Sequence, residues 1–378
     1  MFGLKKRRST PAAQTVPRVG NAMEQAFFSG KTLTRAEREL YRSLRESVPV
    51  IDAALGKIVR LIGSFQIVAE DSEAQRVADD FMRGVRVNGV DSGLMPFVWS
   101  FLDSLLTYGE AVGELIPSPD GRGVAALYNA SLDVAEIVEG DSPLQLLVCR
   151  REGAKSVPVP YQELVTPGLL NQKPGTARGT SVLSGLPFVS SILMRIFEAV
   201  RNNWERVGDV RFAVTYKPEN GAAFSEESAR QIASEWKKAM RSDTVCDFVS
   251  VGDVSVRVIG ADNIMPDCEA PVRAVLEQLL SKLGIPPFLL GLSWSSTERM
   301  SEQQADILTS ELEYYRAAVE PAVRRAVGTH LRLMGFNCGF DIAWNDINLQ
   351  DAVELSQARL NNARAARLEQ EIGREAEA

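Results

Sequence analysis

The sequence predicts an α+β protein built of several regions, and three observations carry that reading. Stretches with apolar residues at i, i+3 and i+4 alternate with a central run of short β-like segments. A block that reads strand, helix, strand, strand sits between two amphipathic helices. Residues 266–334 then read as a helix, an abrupt Gly284-Ile285-Pro286-Pro287 stop and a second, much longer helix.

In chain order, residues 1–33 have the composition of a flexible arm. Thr34 and Glu37 form a capping box for a helix with Leu40, Leu44, Val48, Ile51, Leu55, Ile58, Val59 and Ile62 on one face, which Pro49 should bend or divide. Ser64–Val68 reads as a short strand, and helices are expected near 72–83 and 95–108, the second stopping at Tyr108-Gly109. From 110 to about 165 the pattern turns to strands such as Glu110–Ile116 and Leu144–Arg150, separated by turn clusters like Pro117-Ser118-Pro119-Asp120-Gly121.

Pro174–Thr180 is a Gly/Pro loop, read as a flexible entry to a helix from Ser181. Its apolar face is Leu183, Leu186, Val189, Leu193, Ile196, Phe197, Val200, Trp204 and Val207. The insert that follows is a strand at Val210–Tyr216, a turn at Pro218–Gly221, a helix at Ser225–Met240 and strands at Asp247–Val251 and Val254–Ile259, joined by Gly252-Asp253. Helix 266–283 presents Val272, Val275, Leu276, Leu279, Leu280 and Leu283 on one face. Gly284 supplies the left-handed C-terminal position, and Pro286-Pro287 cannot continue the helix. After the polar stretch Ser293–Thr297, Ser295 with Glu298 reads as a capping box. An apolar register then runs Met300, Ile307, Leu308, Leu312, Tyr315, Val319, Val323, Val327, Leu331 and Met334. Such a helix would be on the order of 55 Å long, kinked at Pro321. The two helices that flank the insert can return antiparallel and hold it at their tip.

Composition narrows the classes. At 378 residues, 45% hydrophobic and 24% charged, the chain can bury a substantial core, and it contains no run of eighteen apolar residues to span a membrane. Lys5-Lys6-Arg7-Arg8 is followed by polar and small residues, so it is not a signal peptide; it reads as a solvated arm, with nucleic-acid contact the lesser alternative. A net charge of −7 argues against a protein that grips DNA by neutralising phosphates. Cys149, Cys246, Cys268 and Cys338 lack Cys-x-x-Cys spacing and read as buried or free thiols, and His330 is the single histidine. Imidazole triads and His-based metal sites are therefore nearly excluded, and His330 reads as structural. Gly175–Ser181 lacks the lysine of a phosphate loop, and the scattered Asp243, Asp247, Asp253 and Asp262 read as turn residues rather than a metal cluster. Neither enzyme activity nor a cofactor is expected. On the long helix, Glu302, Asp306, Glu311 and Glu313 precede Arg316, Arg324, Arg325 and Arg332, read as a solvated or inter-subunit charged face.

With these residues in view, the chain resembles the portal (head–tail connector) proteins of tailed bacteriophages. Phe101–Ile116, where a helix ends in Tyr-Gly and enters a strand, is similar to their wing element. Gly179-Thr180-Ser181-Val182-Leu183 is similar to the start of their first stem helix, and Gly284–Gly291, the most specific match, to the segment after their second stem helix. Leu312–Leu333 with Pro321 inside resembles the long helix beyond the tunnel loop. Asp341–Leu349 with Asp351-Ala352-Val353-Glu354 resembles the entry to the crown. The likeness spans roughly residues 35–360 in matching order; the chain departs from it at the C-terminus, where a reduced or truncated crown is expected.

What the resemblance implies is a portal-type subunit assembling into a ring. Its regions would be an arm at 1–33, a wing at 34–180, stem helix one at 181–208, a clip at 209–262 and stem helix two at 263–284. The elbow, tunnel loop and long wing helix would take 285–345, and the crown 346–378. Leu292, Ser293, Trp294, Ser295, Ser296, Thr297, Glu298 and Arg299 would form a tunnel loop facing DNA, with Gly284, Pro286 and Pro287 as its structural elbow. Trp294 keeps three readings: core anchor, subunit contact or channel-facing side chain. The acidic half of the long helix has a second reading, a lining that keeps DNA from sticking. The implied partners are eleven further copies of the chain, double-stranded DNA, the large terminase subunit, the major capsid and scaffolding proteins and a head–tail adaptor, with no membrane. The implied location is the virion vertex, after assembly in the host cytoplasm. The alternative is another ring-forming adaptor or scaffolding-type oligomer that conducts no DNA.

Overall fold

The computed structural model describes residues 33–142, 144–153, 155–208, 211–217, 253–259, 268–292 and 298–347, with single positions at 227, 230 and 234. The expected arm up to residue 32, the turn at 218–221, the helix at 225–240 apart from the helical positions Glu227, Arg230 and Ser234, the strand at 247–251, Cys246, the loop 293–297 and the crown from 348 onward lie outside the described residues. The chain divides into two units, Met1–Phe188 with Glu277–Ala378, and Val189–Leu276.

The first unit opens on α1 (Arg35–Ser47), capped as expected. The Glu37 N–H donates to Thr34 Oγ1 at 3.2 Å, and Glu37 Oε2 accepts the Thr34 N–H at 2.9 Å. Pro49 divides the helix rather than bending it: α2 (Pro49–Leu61) starts at the proline, and Val48 sits at φ −121°, ψ 89°, outside the helical region. β1 (Phe65–Ala69) leads to α3 (Ser72–Gly84), whose first amides are capped by the Asp71 carboxylate. The short β2 (Arg86–Val87) and β3 (Asp91–Ser92) precede α4 (Leu94–Tyr108), which stops at Gly109 in the left-handed conformation (φ 79°).

A five-stranded mixed sheet in the order β3-β2-β5-β4-β9 contains β4 (Glu110–Pro117), β5 (Val124–Ala130) and β9 (Val165–Leu169). A second sheet is β6 (Ala135–Glu139), β7 (Leu146–Glu152) and β8 (Lys155–Pro158), with β7 two residues beyond its expected bounds. α4 lies on the first sheet, and two glycines let it in. A Cβ on Gly113 would stand 2.6 Å from the Phe97 ring, and one on Gly168 2.6 Å from the Phe101 ring. Phe97 and Phe101 are almost wholly buried there.

The segment after β9 corrects the expectation of a flexible loop and a helix from Ser181. It is strapped to the end of α4: Leu170 N–H donates to Gly109 O at 2.8 Å, and Thr180 N–H to Leu170 O at 2.7 Å. The Ser181 hydroxyl is spent on the Thr107 carbonyl (2.7 Å), one of the carbonyls left open at the end of α4. With that hydroxyl engaged and Gly185 at φ +89°, α5 (Leu186–Gly208) begins five residues later than expected.

In the second unit, β10 (Arg211–Lys217) pairs antiparallel with β11 (Asp253–Ile259) along its whole length, with Val214 opposite Val256. The unit also holds most of α5 and the first half of α6 (Glu269–Leu283), which starts three residues later than expected.

Returning to the first unit, α7 (Glu298–Leu333) is a single 36-residue helix carrying Pro321 inside it. Leu308, Leu312, Tyr315, Val319, Val323, Val327 and Leu331 are buried as expected, against α3, α4, β5 and β9. Two members of the expected register are not: Ile307 is 65% and Met334 40% exposed. Ile307 sits beside Leu308, turned off the packed side, and Met334 follows the last helical turn. β12 (Phe340–Trp344) closes the unit by pairing antiparallel with β1, Ile342 opposite Ile67.

The tightest point is Gly179, where a Cβ would stand 1.8 Å from the Gly109 carbonyl oxygen, a backbone atom that cannot yield. Gly179→Ala is expected to cost about 3 kcal/mol or more in urea unfolding. Gly175→Ala, a left-handed glycine in open space, should cost only about 1 kcal/mol; equal costs would refute the close approach.

Candidate channel elbow and exposed helix face

The elbow between α6 and α7 is built as a sequence of backbone stops. Leu279, Leu280 and Leu283 bury the last turns of α6, and Gly284 takes φ +67°. The Ile285 N–H bonds back to Leu280 O at 3.3 Å, and Ile285 itself is 3% exposed. Pro286 is buried at φ −60°, ψ 136°. Pro287 then does more than end a helix: with its fixed φ it heads a 3₁₀ turn, Pro287–Leu290, closed by left-handed Gly291. α2 packs on this turn, and the Leu292 N–H reaches Pro287 O at 3.1 Å.

Of the predicted loop, Leu292 is half-buried at the end of the elbow, while Ser293, Trp294, Ser295, Ser296 and Thr297 lie outside the described residues. Glu298 and Arg299 are the first two residues of α7. The structure thus brings together Gly284, Pro286, Pro287 and Leu292. The sequence reading passed over Ile285, whose burial seats the elbow; an isolated apolar residue between glycine and proline was the available signal.

α5 is the other feature with an unmet requirement. Leu186 and Leu193 are buried, but Phe197 is 47% and Trp204 61% exposed, and Ile192 and Met194 are exposed as well. Phe188, at 73%, extends the exposed series at its start. The expected apolar face is therefore packed at Leu186 and Leu193 and exposed further along, at Phe197 and Trp204, while Phe188 and Ile192 add exposed apolar surface on the other side of the helix. Phe188 and Ile192 were missed because the reading followed one stripe; a helix apolar around most of its circumference is the signature of one covered on several sides.

The charges of α7 correct a second expectation. Arg316 is not part of a solvated face. It is 7% exposed, donating from Nε to Ile62 O and from Nη2 to Asn345 O, each at 2.7 Å, with its guanidinium over the Trp344 ring at 4.9 Å. It satisfies the carbonyl at the end of α2 and one just past β12, which an exposed arginine could not do. Arg325 bonds Val165 O, and Arg324 reaches Glu320 and Phe340 O, whereas Asp306, Glu311 and Glu313 remain exposed.

His330 accepts the Val124 N–H on Nδ1 at 3.0 Å and stacks on Phe81 at 4.1 Å, and burial holds its pKa below the ordinary histidine value. Both contacts are internal to the fold. Cys149 is buried, and Cys149 and Cys338 are free thiols. Among the described residues no group of three or more His, Cys, Asp or Glu side chains is placed to hold a metal ion, and no helix is long and apolar enough to cross a membrane.

No protein-family model matches the sequence, and no curated protein does. Solved structures do. A chain in the virion of a native gene transfer agent particle aligns with a TM-score of 0.64 at 14% identity, over 91% of this chain and 93% of that one. A chain in the neck of a native gene transfer agent particle, solved with twelvefold symmetry, aligns at 0.62 and 14%, over 89% and 92%. An HK97-family phage portal protein from Corynebacterium diphtheriae aligns at 0.45 and 16%, over 85% and 98%. The two particle chains share this chain's fold nearly end to end.

Proposed function

We propose that the chain is a structural, non-enzymatic subunit of a portal ring, the head–tail connector at one vertex of a phage-type virion. Twelve copies would surround a channel through which the large terminase subunit drives double-stranded DNA inward and from which DNA later leaves. The outer surface would meet the major capsid and scaffolding proteins during assembly in the host cytoplasm, and a head–tail adaptor afterwards. The observation that carries this reading is the fold shared along about nine-tenths of the chain with chains of a virion and its twelvefold neck. The exposed apolar residues of α5 support it independently, because a closed ring supplies each helix with a neighbour on either side. Mild net acidity fits a channel in which DNA moves, since strong phosphate neutralisation would hold it.

Native mass spectrometry and negative-stain images of the purified chain test the ring. Twelve copies of a 41.4 kDa chain should appear at roughly 500 kDa. Monomers alone under assembly conditions would overturn the proposal, and a bore too narrow for duplex DNA would favour an adaptor instead.

The α5 face makes a sharper demand. Phe197→Glu places a charge on it and is expected to cut the ring population at least roughly tenfold, since an unpaired charge buried at an interface costs several kcal/mol. The monomer's circular dichroism and melting should not change. Rings at the wild-type level would remove α5 from the interface.

In the loop, Trp294→Ala is expected to alter DNA packaging or retention in assembled particles while rings still form. Loss of assembly instead would assign Trp294 to subunit packing.

A further inference from the structure

Where α4 gives way to β4, the fold buries a carboxylate, Glu110, beside arginines that are each engaged with another acid. Arg38 pairs with Asp133 at 3.0 Å, Arg151 with Glu136 at 3.1 Å, and Arg178 with Glu37 in close contact. Those are three arginines on three different carboxylates. Glu110 is a fourth carboxylate, 2% exposed, and its Oε1 has no hydrogen-bond partner among the described residues. A buried carboxylate in that position is costly as an anion and cheap as a neutral acid.

The cluster also holds two junctions of the chain. Leu33 O, at the threshold of α1, accepts from Arg38 at 3.0 Å and from Arg151 at 3.1 Å. Arg178 and Gly179 start the strap that runs over the end of α4 into α5, and the Gly179 N–H donates to the Glu110 carboxyl. The groups acting directly on Glu110 are Arg178 from the strap, Arg151 from β7 and Glu37 from α1. Behind them stand their partners Glu136 from β6, Arg38 from α1 and, at the rim, Asp133 with Arg42.

We propose that Glu110 is a proton-operated latch at the root of α5. As the neutral acid it leaves the three ion pairs matched and the strap from Arg178 to Leu183 closed on α4. When its O–H bond breaks and the proton passes to water, the new anion competes with Glu37 for Arg178 and with Glu136 for Arg151, and the strap loosens. No other group changes state. Burial pushes the Glu110 carboxyl up to about 7, against the pull of Arg178 and Arg151. A value raised in the closed state means that closure binds the proton. The closed strap therefore has its full advantage below the ordinary carboxylate range and has lost it once the pH has risen through about 7. The latch belongs to the single chain and stands whether or not rings form.

Hydrogen exchange of the full-length chain at pH 6 and pH 8.5, corrected for intrinsic rates, tests it. The readout is the peptides covering Leu170 and Arg178–Leu183. Their opening is expected to increase roughly tenfold between the two conditions, and Glu110→Gln should abolish the increase. A local readout is needed because His330, whose value is lowered by burial, acts on global stability with the opposite sign, losing its contribution as the pH falls below the ordinary histidine value. Equal opening at both pH values in the wild type overturns the proposal, as does an increase that persists in Glu110→Gln. Should that variant fail to fold, infrared spectra of the wild type decide. A protonated-carboxyl band present at pH 6 and gone at pH 8.5 supports the latch; its absence at pH 6 overturns it.

Discussion

Everything in the first unit is arranged around one requirement: covering the apolar side of a helix 36 residues long. From Leu308 to Leu331 that side is almost wholly removed from water, and no single element is long enough to do it. α3, α4, β5 and β9 each cover a part, so α7 acts as the common reference on which separate layers register. Polar side chains at the edges of the stripe then fix the registration by bonding to backbone. Arg316 holds the end of α2 and the residue after β12, Arg325 holds β9, and His330 accepts from the start of β5. Bonds of this kind contribute modestly when made and cost more when a buried carbonyl is left open, so they select one arrangement rather than add bulk stability.

Two styles of packing coexist in the chain. Around α4 the backbone itself is in contact. Gly113 and Gly168 admit phenylalanine rings, and Gly109 and Gly179 meet at a distance only glycine allows. Interiors packed that closely transmit displacement rather than absorb it. On α5 the opposite holds, because the large apolar side chains Ile192, Met194, Phe197 and Trp204 are exposed. The Glu110 cluster lies between α4 and α5, at the strap that feeds α5.

The elbow shows how a few residues can fix the exit from a helix. Left-handed glycines at both ends, two prolines between them and a buried Ile285 leave the backbone few alternatives between α6 and α7.

What the sequence determined by itself are features decided within a few residues. The Thr34/Glu37 box, the break at Pro49, the stop at Gly109 and the left-handed Gly284 all follow from sterics and capping between near neighbours. So does most of the apolar register of α7, because helical period and burial coincide along one side. The tertiary structure decided what depends on distant partners. Ser181 matches a helix start, yet its hydroxyl goes to the carbonyls of α4, seventy residues earlier in the chain. Arg316 has the sequence setting of a surface charge, yet two carbonyls from opposite ends of the chain draw it inside. Glu110 is an ordinary carboxylate at the start of a strand until Arg151 and Arg178 are placed beside it, each already paired with another acid. Local propensity can be read one turn at a time; burial and pairing are set by whatever the fold brings alongside.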